Sequence, residues 1–518
     1  MQELRLRLQP EQAANTDEIK RIVARTLRAN EDELGAIVIR KRSIDARKGV
    51  IVQLDLQVYT PGEEVVEEEF PTDYKDVSDA EVVHIIGFGP AGIFAALRLI
   101  ELGMKPVIFE RGKDVRSRRR DLALLNRDHI VNEDSNYCYG EGGAGTYSDG
   151  KLYTRSTKRG NVREVLNTFV AHGAEATIMV EAHPHIGTNK LPSIIVDMRE
   201  TILKYGGEVN FDSRITDIIE EEGKLKALVV NEKEIPSSHV ILATGHSARD
   251  IFTLFEKKKW HIEAKSFALG VRVEHPQQLI DQIQYKREER GEALPPAAYN
   301  LVCQIEDKGV YSFCMCPGGI IAPCATAPGE IVTNGWSPSK RNNPYANSGM
   351  VVTVEVEDLE AHGFSGPLGG LQFQQVIEQK ACDMAGGSQK APAQRLLDFV
   401  ENRLSRDLPD CSYTPGLVSV NMHDLFPNFI SKRLVEGFKD FDRKMRGFLT
   451  NDAVIVGPES RTSSPVRIPR DRETFVHPEV AGLYPCGEGA GYAGGIMSAA
   501  IDGRKIAESI FAIQSEKA

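Results

Sequence analysis

The chain has no Cys-x-x-Cys pair, no histidine cluster with metal-ligand spacing and no Gly-x-Ser-x-Gly turn. Zinc ribbons, iron–sulfur clusters, thioredoxin-like redox sites and serine-hydrolase chemistry therefore lack support, and no metal is expected. Its eight cysteines are scattered over 518 residues, unlike a secreted disulfide scaffold. Only Cys314 and Cys316 lie close together. In a regular strand they share a face. Small buried fillers are the plain reading, and a redox pair is the alternative. The chain also lacks an apolar run of about 18 residues and an apolar signal core in residues 1–10. No membrane span and a reduced, cytoplasmic location are expected. Positive charge is short as well. The formal net charge is -11, which argues against a nucleic-acid partner.

What the chain does have is concentrated in residues 82–111. An apolar strand over 82–86 runs into Gly87, Gly89 and Gly92, and a helical stretch follows to Leu102. A second apolar strand over 106–109 ends at Glu110. Gly87 permits a tight turn, Gly89 lets backbone approach a pyrophosphate, and Gly92 lets helix and strand pack closely. The helix N-terminus offers free N–H groups and partial positive charge. Glu110 is placed to accept hydrogen bonds from an adenosine ribose. Strand, glycines, helix, second strand and acid stand in the order of a dinucleotide site. Residues 111–120 hold six basic side chains: Arg111, Lys113, Arg116, Arg118, Arg119 and Arg120. They read equally as a solvated helix face or as partners of a cofactor phosphate.

Length and pattern imply several domains. Residues 1–79 read as a small α/β accessory unit of possible ferredoxin-like type. Its strands are expected over 3–8, 35–43 and 49–59, its helix over 16–28, and an acidic linker over 62–79. Residues 80–255 and 446–518 read as one interrupted α/β domain. Short strands over 207–211 and 215–228 and an apolar strand over 238–243 belong to it. Residues 256–445, rich in Pro, Gly and short strands, read as an inserted domain. The fold class is thus α/β. A Rossmann-like parallel sheet lies between helices and a small β-meander, with an inserted α+β substrate domain.

Three separated pieces resemble the two-dinucleotide-binding-domain flavoproteins. They are the Gly87–Gly89–Gly92 fingerprint with Glu110, Ile241-Leu-Ala-Thr-Gly245, and Gly482-Leu-Tyr-Pro-Cys-Gly-Glu-Gly-Ala-Gly-Tyr-Ala-Gly-Gly495. Four further segments resemble a family of uncharacterised bacterial FAD-dependent dehydrogenases, described as NAD(FAD)-utilising dehydrogenase-like. They are Glu141-Gly-Gly-Ala-Gly-Thr-Tyr-Ser-Asp-Gly-Lys151, His183-Pro-His-Ile-Gly-Thr-Asn189, Tyr311-Ser-Phe-Cys-Met-Cys-Pro317 and Gly457-Pro-Glu-Ser-Arg-Thr-Ser-Ser-Pro465. The resemblance covers nearly the whole chain. It implies FAD, with Gly87, Gly89, Pro90, Ala91 and Gly92 at the pyrophosphate and Glu110 and Arg111 at the adenosine. Ile215 would contact the adenine through its backbone. Ala243, Thr244 and Gly245 would line the pyrophosphate edge, and Gly487 and Glu488 the ribityl chain. Glu488 stands where many relatives in the wider superfamily carry Asp, which keeps the carboxylate on a longer arm.

The helix after Gly495 would aim its N-terminus at a reduced flavin ring, with Gly494, Gly495 and Ile496 beside it. In the glycine-rich loop 140–150, Gly142, Gly143, Ala144, Gly145 and Thr146 can lie flat against a planar ring. Gly140, Gly142 and Gly145 repeat the dinucleotide spacing by accident, because no acid-tipped second strand follows. A second Rossmann unit is therefore not expected, and NAD(P)H would have to act as a transient reductant. For substrate chemistry the candidates are Asp149, Lys151, His185 and Arg461. Each has a plain reading beside the catalytic one: a turn, a loop histidine or an Arg–Glu pair.

The expected function is an FAD-dependent oxidoreductase moving a hydride between a small organic substrate and tightly bound FAD. An FAD monooxygenase is the runner-up. A flavin-bearing binding or tRNA-modification protein is the reading from a different class.

Overall fold

A computed structural model describes residues 1–47, 49–65, 70, 72–153 and 160–516. Part of the linker expected over 62–79 lies outside these residues.

The N-terminal unit is a three-stranded antiparallel sheet. Strand Ile51–Val58 sits between Gln2–Leu8 and Ile37–Asp45. Val52, Leu54, Leu56 and Val58 alternate inward and are buried, as the period of a half-buried strand requires. They meet Ile19 and Val23 of helix Thr16–Leu27. The side chain of Asn15 caps that helix by accepting from the amides of Asp17 and Glu18. The β-α-β-β order is the first four of the six elements of the ferredoxin-like pattern. No closing helix–strand pair is present in this unit among the described residues.

The nucleotide domain is built on a five-stranded parallel sheet. Its strands run in the order Leu483–Pro485, Val240–Leu242, Val82–Ile86, Lys105–Phe109 and Glu208–Asn210. Ile86 pairs with both Leu242 and Phe109, and Leu242 pairs with Pro485. Gly87, Ala243, Cys486 and Glu110 consequently leave the sheet from one C-terminal edge. Alternation along the central strand splits the core. Val83 and Ile85 face helices Pro90–Leu102 and Ile496–Ser515, whereas Ile86 faces the other side. There the meander Ile215–Glu221, Lys224–Val230 and Lys233–Pro236 covers the sheet. This is the expected sandwich of helices, parallel sheet and small meander.

The inserted domain is a seven-stranded mixed sheet backed by helices Gly369–Met384 and Asn428–Lys444. Its strand order is Val302–Ile305, Lys308–Cys316, Tyr345–Val354, Phe267–Pro276, Val454–Glu459, Ala391–Arg395 and Leu417–Ser419. The expected boundary at 445/446 does not follow this sheet. Val454–Glu459 was assigned to the nucleotide domain, but it pairs with Phe267–Pro276 and Ala391–Arg395 inside the insert. The strand is buried along its whole length, and such a run carries no periodic signal of which sheet it joins. The chain returns through a narrow neck where Glu263–Ala264 pairs with Val466–Arg467. Across the insert sheet, Arg272 and Glu459 form a fully buried bidentate pair at 2.7 and 3.1 Å. Among the described residues no helix is long and apolar enough to cross a membrane.

Two glycines set how tightly the nucleotide domain closes. A Cβ on Gly92 would lie 2.1 Å from the Gly87 carbonyl oxygen, and one on Gly503 would lie 2.1 Å from that of Ala91. Gly503 is therefore where helix Ile496–Ser515 presses on the first turn of Pro90–Leu102. Gly503→Ala is expected to push these helices apart and lower stability by about 1–3 kcal/mol. Urea unfolding tests this, and an unchanged midpoint would contradict the packing.

Candidate functional site

Three turns gather at the C-terminal edge of the parallel sheet. The first is the glycine turn of residues 87–92. Gly87 adopts φ +100° and packs on the Ala243 carbonyl, where a Cβ would stand 2.4 Å away. Only glycine fits that conformation and that contact. Gly89 caps helix Pro90–Leu102 in extended conformation with no side-chain cap, and Pro90 takes the first helical position. The second turn is Ala243, Thr244 and Gly245. The third runs from Gly487 to Gly495, where Gly495 starts helix Ile496–Ser515 with φ +95°, also without a side-chain cap. A Cβ on Gly245, Gly494 or Gly495 would meet nothing within 4 Å. Two helix N-termini thus open onto accessible glycine backbone at one sheet edge. That surface suits a long anionic cofactor with a phosphate group and a planar ring.

The glycine-rich loop crosses this edge. A Cβ on Gly143 would sit 3.0 Å from Gly89 Cα, and one on Gly145 would sit 3.1 Å from Pro90 and 3.3 Å from Ile496. Gly142, Gly145, Pro90 and Ile496 help to line a small apolar gap of about 20 Å³. Ala144 is exposed, and the Thr146 hydroxyl turns inward to donate to Glu141 O at 2.6 Å. Thr146 therefore closes its own loop rather than facing outward. Arg118 holds the loop from beneath. It is fully buried and donates to the carbonyls of Asn136, Glu141 and Gly143 at 2.7–2.9 Å. Within the basic run 111–120 this residue is neither a solvated side chain nor a phosphate partner.

Glu110 departs from its expected ribose role. Its carboxylate is buried and accepts from the backbone amides of Phe88 at 2.8 Å and of Gly112 and Gly140 at 2.9 Å each. Three of roughly four acceptor positions are thereby occupied. The local reason is that the glycine turn and the loop both bring unpaired amides to the end of its strand. Arg111 is likewise engaged. It pairs with Asp250 at 2.6 Å and lies 4.5 Å over the Tyr139 ring. Asp250, Arg214, Ile215, Thr216, Ile251 and Leu254 line an adjoining groove of about 200 Å³. Arg111 and Ile215, named separately from sequence, are thus joined through Asp250.

Glu488 sits beside His246, with Nδ1 3.5 Å from its carboxylate. His246 was not singled out from sequence. Nor was Asp502, which accepts from the Gly487 amide at 2.7 Å and forms a bidentate pair with Arg470 at 2.6 and 2.9 Å. Its only sequence signal is an acid between the apolar Ile501 and the small Gly503 in the second turn of helix Ile496–Ser515.

The four catalytic candidates separate. Asp149, Lys151 and His185 come together, and Arg341 of the insert joins them. Asp149 meets Arg341 at 2.9 Å and Lys151 at 3.4 Å. Lys151 and His185 share a backbone bridge, and His185 Nε2 faces Ser339 O at 3.2 Å. Lys151 Nζ lies 3.7 Å from Cys314 Sγ and 4.0 Å from Cys316 Sγ. Burial pushes the Asp149 carboxyl up, but Lys151, Arg341 and His185 bring it down to about 2. Burial and, after it, the Arg341 charge lower His185. Burial would lower Lys151 too, yet the two thiols and Asp149 hold it above its ordinary value.

Arg461 lies elsewhere, in a closed buried network. It donates to Glu378 at 2.9 and 3.0 Å, to Glu330 at 3.3 Å, to Thr326 at 2.7 Å and to Ser247 at 3.2 Å. Arg249 binds the same two glutamates at 2.5 and 2.7 Å. With its donors committed, Arg461 clamps the insert to the nucleotide domain and is not free to bind a substrate carboxylate.

Comparison with known proteins places this architecture. An uncharacterised protein of Clostridium beijerinckii is 40% identical over 514 residues, covering 95% of each chain. Residues 266–462 match the family described as FAD-dependent protein, C-terminal domain-like. This chain belongs to one family with the Clostridium beijerinckii protein, and its residues 266–462 carry the FAD-dependent domain. Its cofactor is FAD. Residues 1–59 match a domain of unknown function. The flavoprotein also overlaps loosely with solved structures. One is a geranylgeranyl bacteriochlorophyll reductase-like protein of Thermoplasma acidophilum (14% identity, TM-score 0.35, 84% of this chain and 79% of that one). Another is an oxidoreductase of Methanosarcina mazei (10%, 0.33, 82% and 100%). A third is CtdE in complex with FAD (11%, 0.31, 83% and 84%). Overlap this loose fixes neither residue roles nor substrate.

The Glu110 geometry gives a direct test. In Glu110→Gln the amide NH₂ must face a backbone N–H, leaving a buried donor without an acceptor. A loss of about 1–3 kcal/mol in unfolding free energy is expected. An unaffected unfolding curve would show that the three amide contacts do not hold the turn.

Proposed function

We propose that this flavoprotein is an oxidoreductase that moves a hydride between a small organic substrate and tightly bound FAD. One observation carries the reading. The loop 140–151 touches the Gly89 turn and Ile496 at its middle, and the polar cluster of the insert at its end. A single segment therefore connects the cofactor edge to a buried, charged group of side chains contributed by two domains.

Gly89, Pro90 and Ala91, with the amides of their helix, would hold the pyrophosphate. Ala243, Thr244 and Gly245 would flank it. Gly487 and Glu488 would hold the ribityl chain, and Gly494, Gly495 and Ile496 would lie at the ring. When bound, FAD supplies a ring that accepts or donates a hydride. The protein's part is positioning and proton handling. His185 presents Nε2–H to Ser339 O, an assignment inferred from that contact, so its Nδ1 is left as an acceptor. The Asp149–Lys151–Arg341 group keeps charge fixed beside it. Within this group Asp149 is closed off from water, at 1% exposure. The described residues contain one Rossmann-type sheet, so NAD(P)H would act as a transient reductant without a domain of its own.

The test is an anaerobic titration of the holoprotein with NADH and with NADPH, following the visible flavin band. Bleaching by either identifies a nicotinamide-driven reductase. A band that bleaches only with an organic donor identifies a substrate-reduced dehydrogenase, and a band that no two-electron donor bleaches would overturn the proposal. Gly89→Val supplies the control. An added Cβ there meets only Gly143 Cα, at 3.8 Å, so the variant is expected to fold and to lose the flavin band.

A further inference from the structure

The Cys314–Cys316 pair is not the small apolar filler that its sequence context suggests. Strand Lys308–Cys316 pairs Phe313 with Gly349 and Cys316 with Asn347. Three steps on one strand thus oppose two on the other, which is a β-bulge with one extra residue. Cys314 adopts φ +46° there, a left-handed conformation that costs a non-glycine residue of order 1 kcal/mol or more and gathers at functional sites. The bulge brings both sulfurs to the one Lys151 ammonium, at 3.7 and 4.0 Å. Cys314 keeps partial exposure while Cys316 is fully buried. Arg272, from the next strand but one, donates to Cys314 O at 3.1 Å and carries Glu459 as its bidentate partner. Asp149, 1% exposed, leaves Oδ1 without a partner.

We propose that Cys314 and Cys316 are a dithiol that exchanges with low-molecular-weight disulfides, with Cys314 as the attacking thiolate, Lys151 as its counter-ion and Cys316 as the resolving thiol. The geometry favours this division. Cys314 Sγ is the nearer sulfur to Lys151 Nζ and Cys314 keeps partial exposure, whereas Cys316 is buried and its thiol donates to Cys314 O at 3.2 Å. The neighbouring Cys316 thiol, with Lys151 and Arg272 behind it, brings the Cys314 thiol well below its ordinary range. Cys316 is driven up by Cys314 and by burial. Asp149 and Glu459 are the acidic groups facing the pair, and Arg341 and His185 complete its surroundings. A thiolate beside an ammonium in a partly exposed position is the nucleophilic form.

In the first step the Cys314 sulfur bonds to one sulfur of the disulfide, whose S–S bond breaks and releases one thiolate. Cys316 then gives its proton to that thiolate and attacks the Cys314 sulfur, expelling the second thiolate. Two cysteine sulfurs are oxidised to one disulfide and one external disulfide is reduced to two thiol equivalents. No flavin takes part, so the proposal stands apart from the hydride-transfer reading.

The experiment treats the holoprotein with oxidised glutathione, quenches by alkylation and maps the unreduced digest. An intramolecular Cys314–Cys316 bond is expected in the natural chain, and glutathione retained on Cys314 in Cys316→Ser. Absence of that bond, or preferential modification of any other cysteine, overturns the proposal. Separately, the pH midpoint for iodoacetamide labelling of Cys314 is expected to rise by about one unit or more in Lys151→Met and to return in Lys151→Arg. An unchanged midpoint in Lys151→Met also overturns it. The visible flavin band, recorded on each sample, reports the cofactor independently.

Discussion

The in-register C-terminal edge of one five-stranded parallel sheet governs the rest of this structure. Because Ile86, Leu242, Pro485 and Phe109 stand level across four strands, four segments far apart in sequence start their turns at the same height. A one-residue slip would turn every side chain of a strand to the opposite face, and the two-sided burial of Ile85 and Ile86 forbids it. Register is thus held by the core, and the shared edge of turns follows from register. Close packing then fixes the details. Gly87 lies against Ala243, Gly92 against Gly87, and Gly503 against Ala91. Each contact leaves no room for a side chain, so these glycines are demanded by neighbouring backbone.

Buried charge does the second job, tying loops and domains to that edge. Glu110 gathers amides from three segments, and Arg118 gathers carbonyls from the glycine-rich loop. Arg461 and Arg249 join Glu330 and Glu378 across the domain boundary. Burial pushes both carboxyls up, but the two guanidiniums bring Glu378 down to about 2, while its own charge helps to raise Glu330. Such groups are weak stabilisers when complete and costly when broken. Their value lies in orientation, since a guanidinium with several fixed acceptors permits one placement of the segments around it.

Much of the fold was legible because local patterns carry it. The N-terminal strands alternate, the fingerprint strands are short apolar runs, and the glycines mark turns. The strand Val454–Glu459 was not assigned to its sheet, because a strand buried on both faces has no period that names its partners. The site divides in the same way. The glycine turns were read from spacing, Asp149 and Lys151 from their place at the end of the glycine-rich loop, and His185 as a histidine beside Pro184. Arg341, 190 residues beyond Lys151, could not be joined to them by spacing. The partners that Glu110 and Arg461 take in the fold were not legible, for one reason. A charged side chain next to a motif looks available in sequence, and only the folded chain shows which amides, carbonyls or counter-charges have already taken it.

The sequence by itself determined the nucleotide fold class and the cofactor class, since each of the separated motifs that carry them is local. Glycine at a tight turn, an uncapped helix start and an apolar strand are local demands. Tertiary structure alone decided which charges are free, where the insert ends, and that a bulge sets Cys314 and Cys316 against Lys151. Those outcomes depend on contacts between separate strands and loops, several of them more than a hundred residues apart, and on how burial shifts the balance between an ion and its partner. Neither quantity is written in the order of the residues.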